Sequence, residues 1–155
     1  ICDVGRSFAG VEHRIEFVRN KNGVRWYNDS IATSPSRTMA GLRSFDEPLI
    51  VIAGGYDKHL SFAPLAPVLL EHAKRLILTG PTAPKIEQAV READGFAQSG
   101  LVIDHAADLA EAVKIANGAA LSGDVVILSP ACASFDAYEN FEARGRHFKE
   151  LVRAL

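Results

Sequence analysis

VVILSPACASFDAYENFEARG, residues 125–145, decides how the rest of the chain is read. Val125–Ser129 opens as an apolar run without alternation, which is how a strand buried on both faces reads. The chain leaves it through Ser-Pro-Ala-Cys-Ala-Ser and enters a helical pattern. Tyr138, Phe141, Gly145, Phe148, Val152 and Leu155 recur at steps of three or four and share one stripe. Ser134 or Asp136 caps this helix, and Asp136 with Glu139 makes an Asp-x-x-Glu capping box, so a helix is expected over Asp136–Leu155. Gly145 within the stripe costs about 1 kcal/mol relative to alanine, and close approach of helix to sheet explains its presence.

Working outward, Leu49–Ala53, Leu76–Thr79 and Leu101–Asp104 are further short apolar runs rich in Val, Ile and Leu. Segments of helical length and period separate them: Pro35–Phe45, Phe62–His72, Ala83–Ala93 and Ala106–Leu121. Alternating strand and helix implies right-handed βαβ units and a parallel sheet. Ahead of them, RIEFVRNKNGVRWYND alternates on either side of Asn-Lys-Asn-Gly and reads as a hairpin whose first arm is an antiparallel edge. The class is α/β: a mostly parallel sheet of about six strands with one antiparallel edge strand and helices on both faces. The opening ICDVGRSFAG, residues 1–10, fits neither pattern and reads as a linker or the tail of a preceding domain.

A chain of 155 residues, 48% apolar and 23% charged, suits one globular domain with a substantial core. With 17 basic and 19 acidic residues, and no basic block, it lacks the footprint of a nucleic-acid binder. No apolar run approaches the roughly 18 residues needed to cross a bilayer. No signal sequence opens the chain, and the expected location is the cytoplasm. Cys2 and Cys132 lack metal-ligand spacing and read as reduced thiols.

In open parallel sheets, ligands bind outside the carboxyl ends of the strands, so the loops that follow strands carry the functional information. In NDSIATSPSR (28–37), Ser34 as N-cap with Pro35 behind it is a strong helix start that aims Thr33 and free amides above the strand. Asp29 ends the strand with a carboxylate able to accept two hydroxyls, as from a ribose. In GGYDKHLSF (54–62), the glycines allow backbone to approach a ligand, and Lys58 sets a cation past the strand end. A well-capped helix and a solvated lysine are the plain alternatives. Neither a Gly-x-x-x-x-Gly-Lys-Ser/Thr loop nor a Gly-x-Gly-x-x-Gly fingerprint is present. Cys132 in SPACASFD (129–136) invites a nucleophile reading, yet neither His105 nor His147 is placed by the sequence to serve as its base. The five histidines are scattered and propose no metal site. The generic α/β pattern alone would also permit a freestanding flavodoxin-like binding or regulatory module.

Together, GVEHRIEFV, NGVRWYNDSIAT, GGYDKHLSF and LSPACASFDAYENFEARGRHFKELV resemble the carboxy-terminal domain of the Mur ligases, in the branch that adds D-glutamate to UDP-N-acetylmuramoyl-L-alanine. The likeness runs from about Gly10 to Leu155. Asn28-Asp29-Ser30 and SPACASFD set this branch apart from other Mur ligases and from folylpolyglutamate synthases. The resemblance implies a Rossmann-like three-layer domain over residues 11–155, with 1–10 the linker or tail of a central ATPase domain. It implies a peptide synthase of cell-wall formation that uses ATP with Mg, both held mainly by that central domain, and an acyl-phosphate intermediate. Thr33, Lys58 and Ser134 would bind the carboxylates of D-glutamate, bordered by Phe135 and Phe141. Arg14 would reach the nucleotide phosphates, and Asp29 the ribose hydroxyls. No residue of the chain is implied to be catalytic by itself. Its implied partners are D-glutamate, UDP-N-acetylmuramoyl-L-alanine and ATP, without nucleic acid or membrane, and the piece alone is expected to be inactive. Ile31 and Ser34 depart from the lysine and asparagine common in the family. Phe141 also lies on the apolar stripe, where spacing favours the core.

Overall fold

The computed structural model describes residues 11–155; the linker reading of 1–10, and Cys2 within it, lies outside the described residues. The strands are β1 (Glu16–Lys21), β2 (Val24–Asn28), β3 (Leu49–Ala53), β4 (Ala73–Leu78), β5 (Val102–His105) and β6 (Val125–Leu128). The helices are α1 (Pro35–Leu42), α2 (Leu65–His72), α3 (Ala83–Glu92), α4 (Phe96–Ser99), α5 (Leu109–Ala119) and α6 (Phe141–Arg153). They build one six-stranded sheet in the order β1-β2-β6-β3-β4-β5. Only the β1–β2 pair is antiparallel, joined at Asn22-Gly23, so the expected hairpin and edge strand are present.

Every residue of β3 and β6 is buried, as continuous apolar runs require of strands covered on both faces. Leu49, Val51, Leu76, Val125 and Ile127 face α1, α2 and α3. Ile50, Ile52, Ile77, Val126 and Leu128 face α5 and α6, with Trp26 beside Phe148. The result is three layers.

Several boundaries differ from expectation: α1 ends at Leu42 rather than Phe45, and α2 begins at Leu65 rather than Phe62. β4 begins at Ala73, three residues early, because Lys74 and Arg75 are not solvated strand breakers. They pair with Asp124 and Asp104 while the backbone is already extended. α4, bounded by Gly95 and Gly100 in left-handed conformation, has too short a pattern to read. α5 starts at Leu109 rather than Ala106, capped by Asp108, whose carboxylate accepts the Glu111 amide at 2.8 Å. α6 starts at Phe141 rather than Asp136. Asn140 is its cap and accepts the Ala143 amide at 2.8 Å. Neither Ser134 nor Asp136 caps it, because the Ser134 carbonyl accepts the amides of Ala137 and Tyr138 and turns the chain before the helix begins. Gly145 does mark a close approach, but chiefly to a side chain from the turn before β1 rather than to the sheet: a Cβ there would overlap the His13 ring and only press on the Asn28 amide of β2.

Candidate functional site

β6 lies between β2 and β3, yet the helix after β6 packs on one face of the sheet while α1 and α2, after β2 and β3, pack on the other. Neighbouring strands whose chains depart to opposite faces leave a crevice at their carboxyl ends, where such sheets bind ligands. Three loops border it, 29–34, 54–62 and 129–140. They are laced by backbone hydrogen bonds: the Ala131 amide donates to Ala32 (3.0 Å), Gly54 to Pro130 (2.9 Å) and Tyr56 to Ala133 (2.8 Å). The lacing needs glycine at 54, where φ is 114° and any Cβ would overlap the Thr79 carbonyl.

Thr33, Lys58 and Ser134 each sit on one of these loops, at one rim of the sheet. Thr33 is half-buried, and the Ser34 hydroxyl beside it contacts Ser36 rather than capping α1. Lys58 is exposed, and among the described residues no acid pairs with it. Its neighbour Asp57 is engaged elsewhere, accepting the His59 amide (2.7 Å) and Lys85 (3.4 Å), which holds its carboxyl below the usual range. Ser134 is buried at the base of the rim. Phe135 is 65% exposed and meets Tyr56 edge-on at 5.8 Å. Phe141, half-buried, leaves the core to Phe148 and Val152. It lies edge-on to His13 at 6.0 Å while its carbonyl accepts the Ser30 hydroxyl.

The two residues assigned to the nucleotide stand behind this rim. Asp29 is only 3% exposed. Its two oxygens accept the Ile15 amide (3.1 Å) and the Ser129 hydroxyl (3.0 Å), and burial outweighs these bonds and raises its pKa to about 6. Charges on Arg14 and Arg37 oppose the rise. The carboxylate is thus packed between the turn before β1, the end of β6 and Gly41 of α1. Arg14 itself is exposed, between His13 and Ile15.

Arg144 belongs to the site and was not foreseen. It is 4% exposed and pairs with no acid among the described residues. Its guanidinium donates to the Ser30 hydroxyl and carbonyl, both at 3.0 Å, and to the Ala133 carbonyl at 3.2 Å. It therefore ties the loop after β2 to the loop after β6, under Ser134. Burial lowers its pKa to about 10, which leaves it charged at neutral pH. The signal was its place beside Gly145 on the stripe of Phe141 and Phe148, where a solvated arginine does not belong.

Cys132 is no nucleophile. It is buried beside Thr82 (3.3 Å), and burial pushes its thiol up to about 11. His105 is bound to Glu87 and His147 to Tyr138, so neither serves it. No helix among the described residues is long and apolar enough to cross a membrane.

The family model described as "Mur ligase, glutamate ligase domain" matches residues 13–132. The chain is 60% identical over 155 residues to the UDP-N-acetylmuramoylalanine–D-glutamate ligase of Symbiobacterium thermophilum, a match that covers 100% of this chain and 33% of that protein. With the enzyme of the same name from Acetivibrio thermocellus it shares 54% over 157 residues, covering 100% of this chain and 34% of that one. The chain thus spans about a third of the length of these relatives. In fold it is similar to a murein peptide ligase of Psychrobacter arcticus, with TM-score 0.63 and 16% identity over 95% of this chain and 31% of that one. It is also similar to the MurF ligase of Thermotoga maritima in complex with ADP, with TM-score 0.58 and 16% identity over 98% of this chain and 37% of that one.

Proposed function

We propose, from the fact that this chain belongs to the Mur ligase family through its glutamate ligase domain, that it is the amino-acid-accepting domain of a longer enzyme. That enzyme joins D-glutamate to UDP-N-acetylmuramoyl-L-alanine with ATP, in the cytoplasm, as a step of peptidoglycan synthesis. Residues 1–10 lead from its nucleotide-binding part and 11–155 form the domain. One observation carries the reading: the loops after three adjacent strands bring Thr33, Lys58 and Ser134 to one rim of the sheet, and among the described residues no acid pairs with Lys58. A dianionic amino acid asks for such a set, a cation with hydroxyl and amide donors converging above a sheet.

In the proposed reaction the terminal phosphoryl group of ATP passes to the carboxylate of UDP-N-acetylmuramoyl-L-alanine. The amine of D-glutamate attacks the resulting acyl phosphate, and the tetrahedral intermediate expels phosphate to leave an amide. The part played by this chain is placement. Lys58, Thr33 and Ser134 grip the carboxylates so that the amine faces the acyl phosphate, with Phe135 and Phe141 as walls. Holding reactants in near-attack geometry is worth several kcal/mol, about 7–11 in favourable cases. Arg14 addresses the nucleotide phosphates and Asp29 the ribose. Magnesium is left to the rest of the enzyme. Glu12, His13 and Glu16 converge closely enough to ligate a metal, but Lys149 already presses its ammonium against both carboxylates.

Lys58→Ala in the full-length enzyme tests the reading. Loss of a charge-assisted bond is worth about 1.5–3 kcal/mol, so the KM for D-glutamate should rise about 10- to 100-fold. The KM for ATP and the melting temperature should not move. Unchanged KM and kcat would remove Lys58 from the site.

A further inference from the structure

The chain enters β1 through a turn that L-residues avoid. His13 and Ile15 have φ of 70° and 45°, in the left-handed region, and Ile15 is β-branched. Histidine is among the residues that tolerate this region, but a β-branched isoleucine is not, and a turn with no further duty would carry glycine or asparagine at position 15. Strain of this kind persists where the surroundings over-determine it, commonly at functional sites. Arg14 is the residue held between the two.

Every residue around Arg14 is tied. Glu12 accepts from Lys149 at 2.6 Å, and the same ammonium reaches Glu16 at 3.2 Å. The His13 amide donates to Glu16 (3.1 Å), and its carbonyl accepts the Ile31 amide (3.0 Å). The Ile15 amide donates to Asp29 at 3.1 Å. The Asn28 side-chain oxygen accepts the Ser30 amide, so its nitrogen faces the His13 ring at 2.9 Å. Nδ1 of His13 is therefore the acceptor, and the ring proton sits on Nε2. That nitrogen is buried without a hydrogen-bond partner, 3.5 Å from the Glu12 carboxylate. The ring fits only because residue 145 has no side chain.

We propose that Lys149, acting through Glu12 and Glu16, is a positioning residue that aims Arg14 at the nucleotide phosphates, with the His13 ring wedged against α6 as the fulcrum. This rests on the reading of Arg14 given above. The arrangement also couples the two nucleotide contacts, because the carboxylate that anchors Ile15 is that of Asp29.

The test is a double-mutant cycle on the KM for ATP in the full-length ligase, with the KM for D-glutamate measured alongside. Arg14→Ala and Lys149→Met should each raise the KM for ATP about 10-fold and leave that for D-glutamate unchanged, and the double variant should be no worse than Arg14→Ala alone. Lys149→Arg should restore most of the loss, and Glu12→Gln, which keeps the shape of the brace, should move the KM for ATP in the same direction if Lys149→Met does not fold. Multiplied effects in the double variant, or equal rises in both KM values, would overturn the positioning role. An Arg14→Ala enzyme with unchanged KM for ATP would overturn the reading of Arg14 itself. A rise for Arg14→Ala beside wild-type kinetics for Lys149→Met and Glu12→Gln would overturn only the brace.

Discussion

Asp29 carries a charge where water scarcely reaches, and the fold bears the cost. Its pKa rises from 3.8 to about 6, so the folded chain holds this proton more tightly than the unfolded chain. The group therefore favours folding fully below about pH 4, and that contribution is lost as pH rises through about 6. That rise corresponds to roughly 3 kcal/mol. Asp29→Asn should thus stabilise the protein at pH 8, by about 2 kcal/mol, and leave it unchanged at pH 4. Asparagine can still accept the Ile15 amide, and Ser129 can reverse to accept from it while donating to Thr38, its other partner at 3.0 Å. Thermal melts at the two pH values check this, and a variant less stable at pH 8 would contradict it. His13 works with the opposite sign. Burial lowers its pKa from 6.5, so its contribution is present above that value and is lost as pH falls through the depressed one.

At the scale of elements, the start of α6 shows what local pattern cannot decide. Asp136-x-x-Glu139 matches a capping box, and Asp108-x-x-Glu111 matches it equally well, yet only the second caps a helix. The difference is tertiary. Arg144 holds the Ala133 carbonyl, and Ser134 closes a turn, so the helix waits until Asn140. Asn140→Ala should cost about 1 kcal/mol, and Asp136→Ala less than about 0.5, in chemical denaturation; the reverse order would restore the earlier helix start. β3 and β6 were legible because strands covered on both faces cannot alternate. The start of β4 was hidden because Lys74 and Arg75 are paired ions that look like solvated ones. The same ambiguity concealed Arg144 and Lys149, whose burial shows in the sequence only as charge beside an apolar stripe. The shared rim of Thr33, Lys58 and Ser134 was legible because the parallel strands β2, β3 and β6 all end at the same edge of the sheet.

Over the whole molecule, one topological fact organises the rest. β6 returns between β2 and β3 and sends its helix to the other face, which opens the crevice and brings three loops to its rim. α6 then runs back against β1 and β2, so one helix supplies Arg144 to the loops and Lys149 to the turn at Arg14. The rim of the three loops and the turn at Arg14 are thereby held by the same helix. The most direct test of this account is a crystal structure of the full-length ligase with D-glutamate bound. It should show a carboxylate of the ligand within hydrogen-bond reach of Lys58 Nζ, with Thr33 Oγ1 and Ser134 Oγ contacting the same molecule. D-glutamate bound elsewhere, touching none of the three, would contradict it.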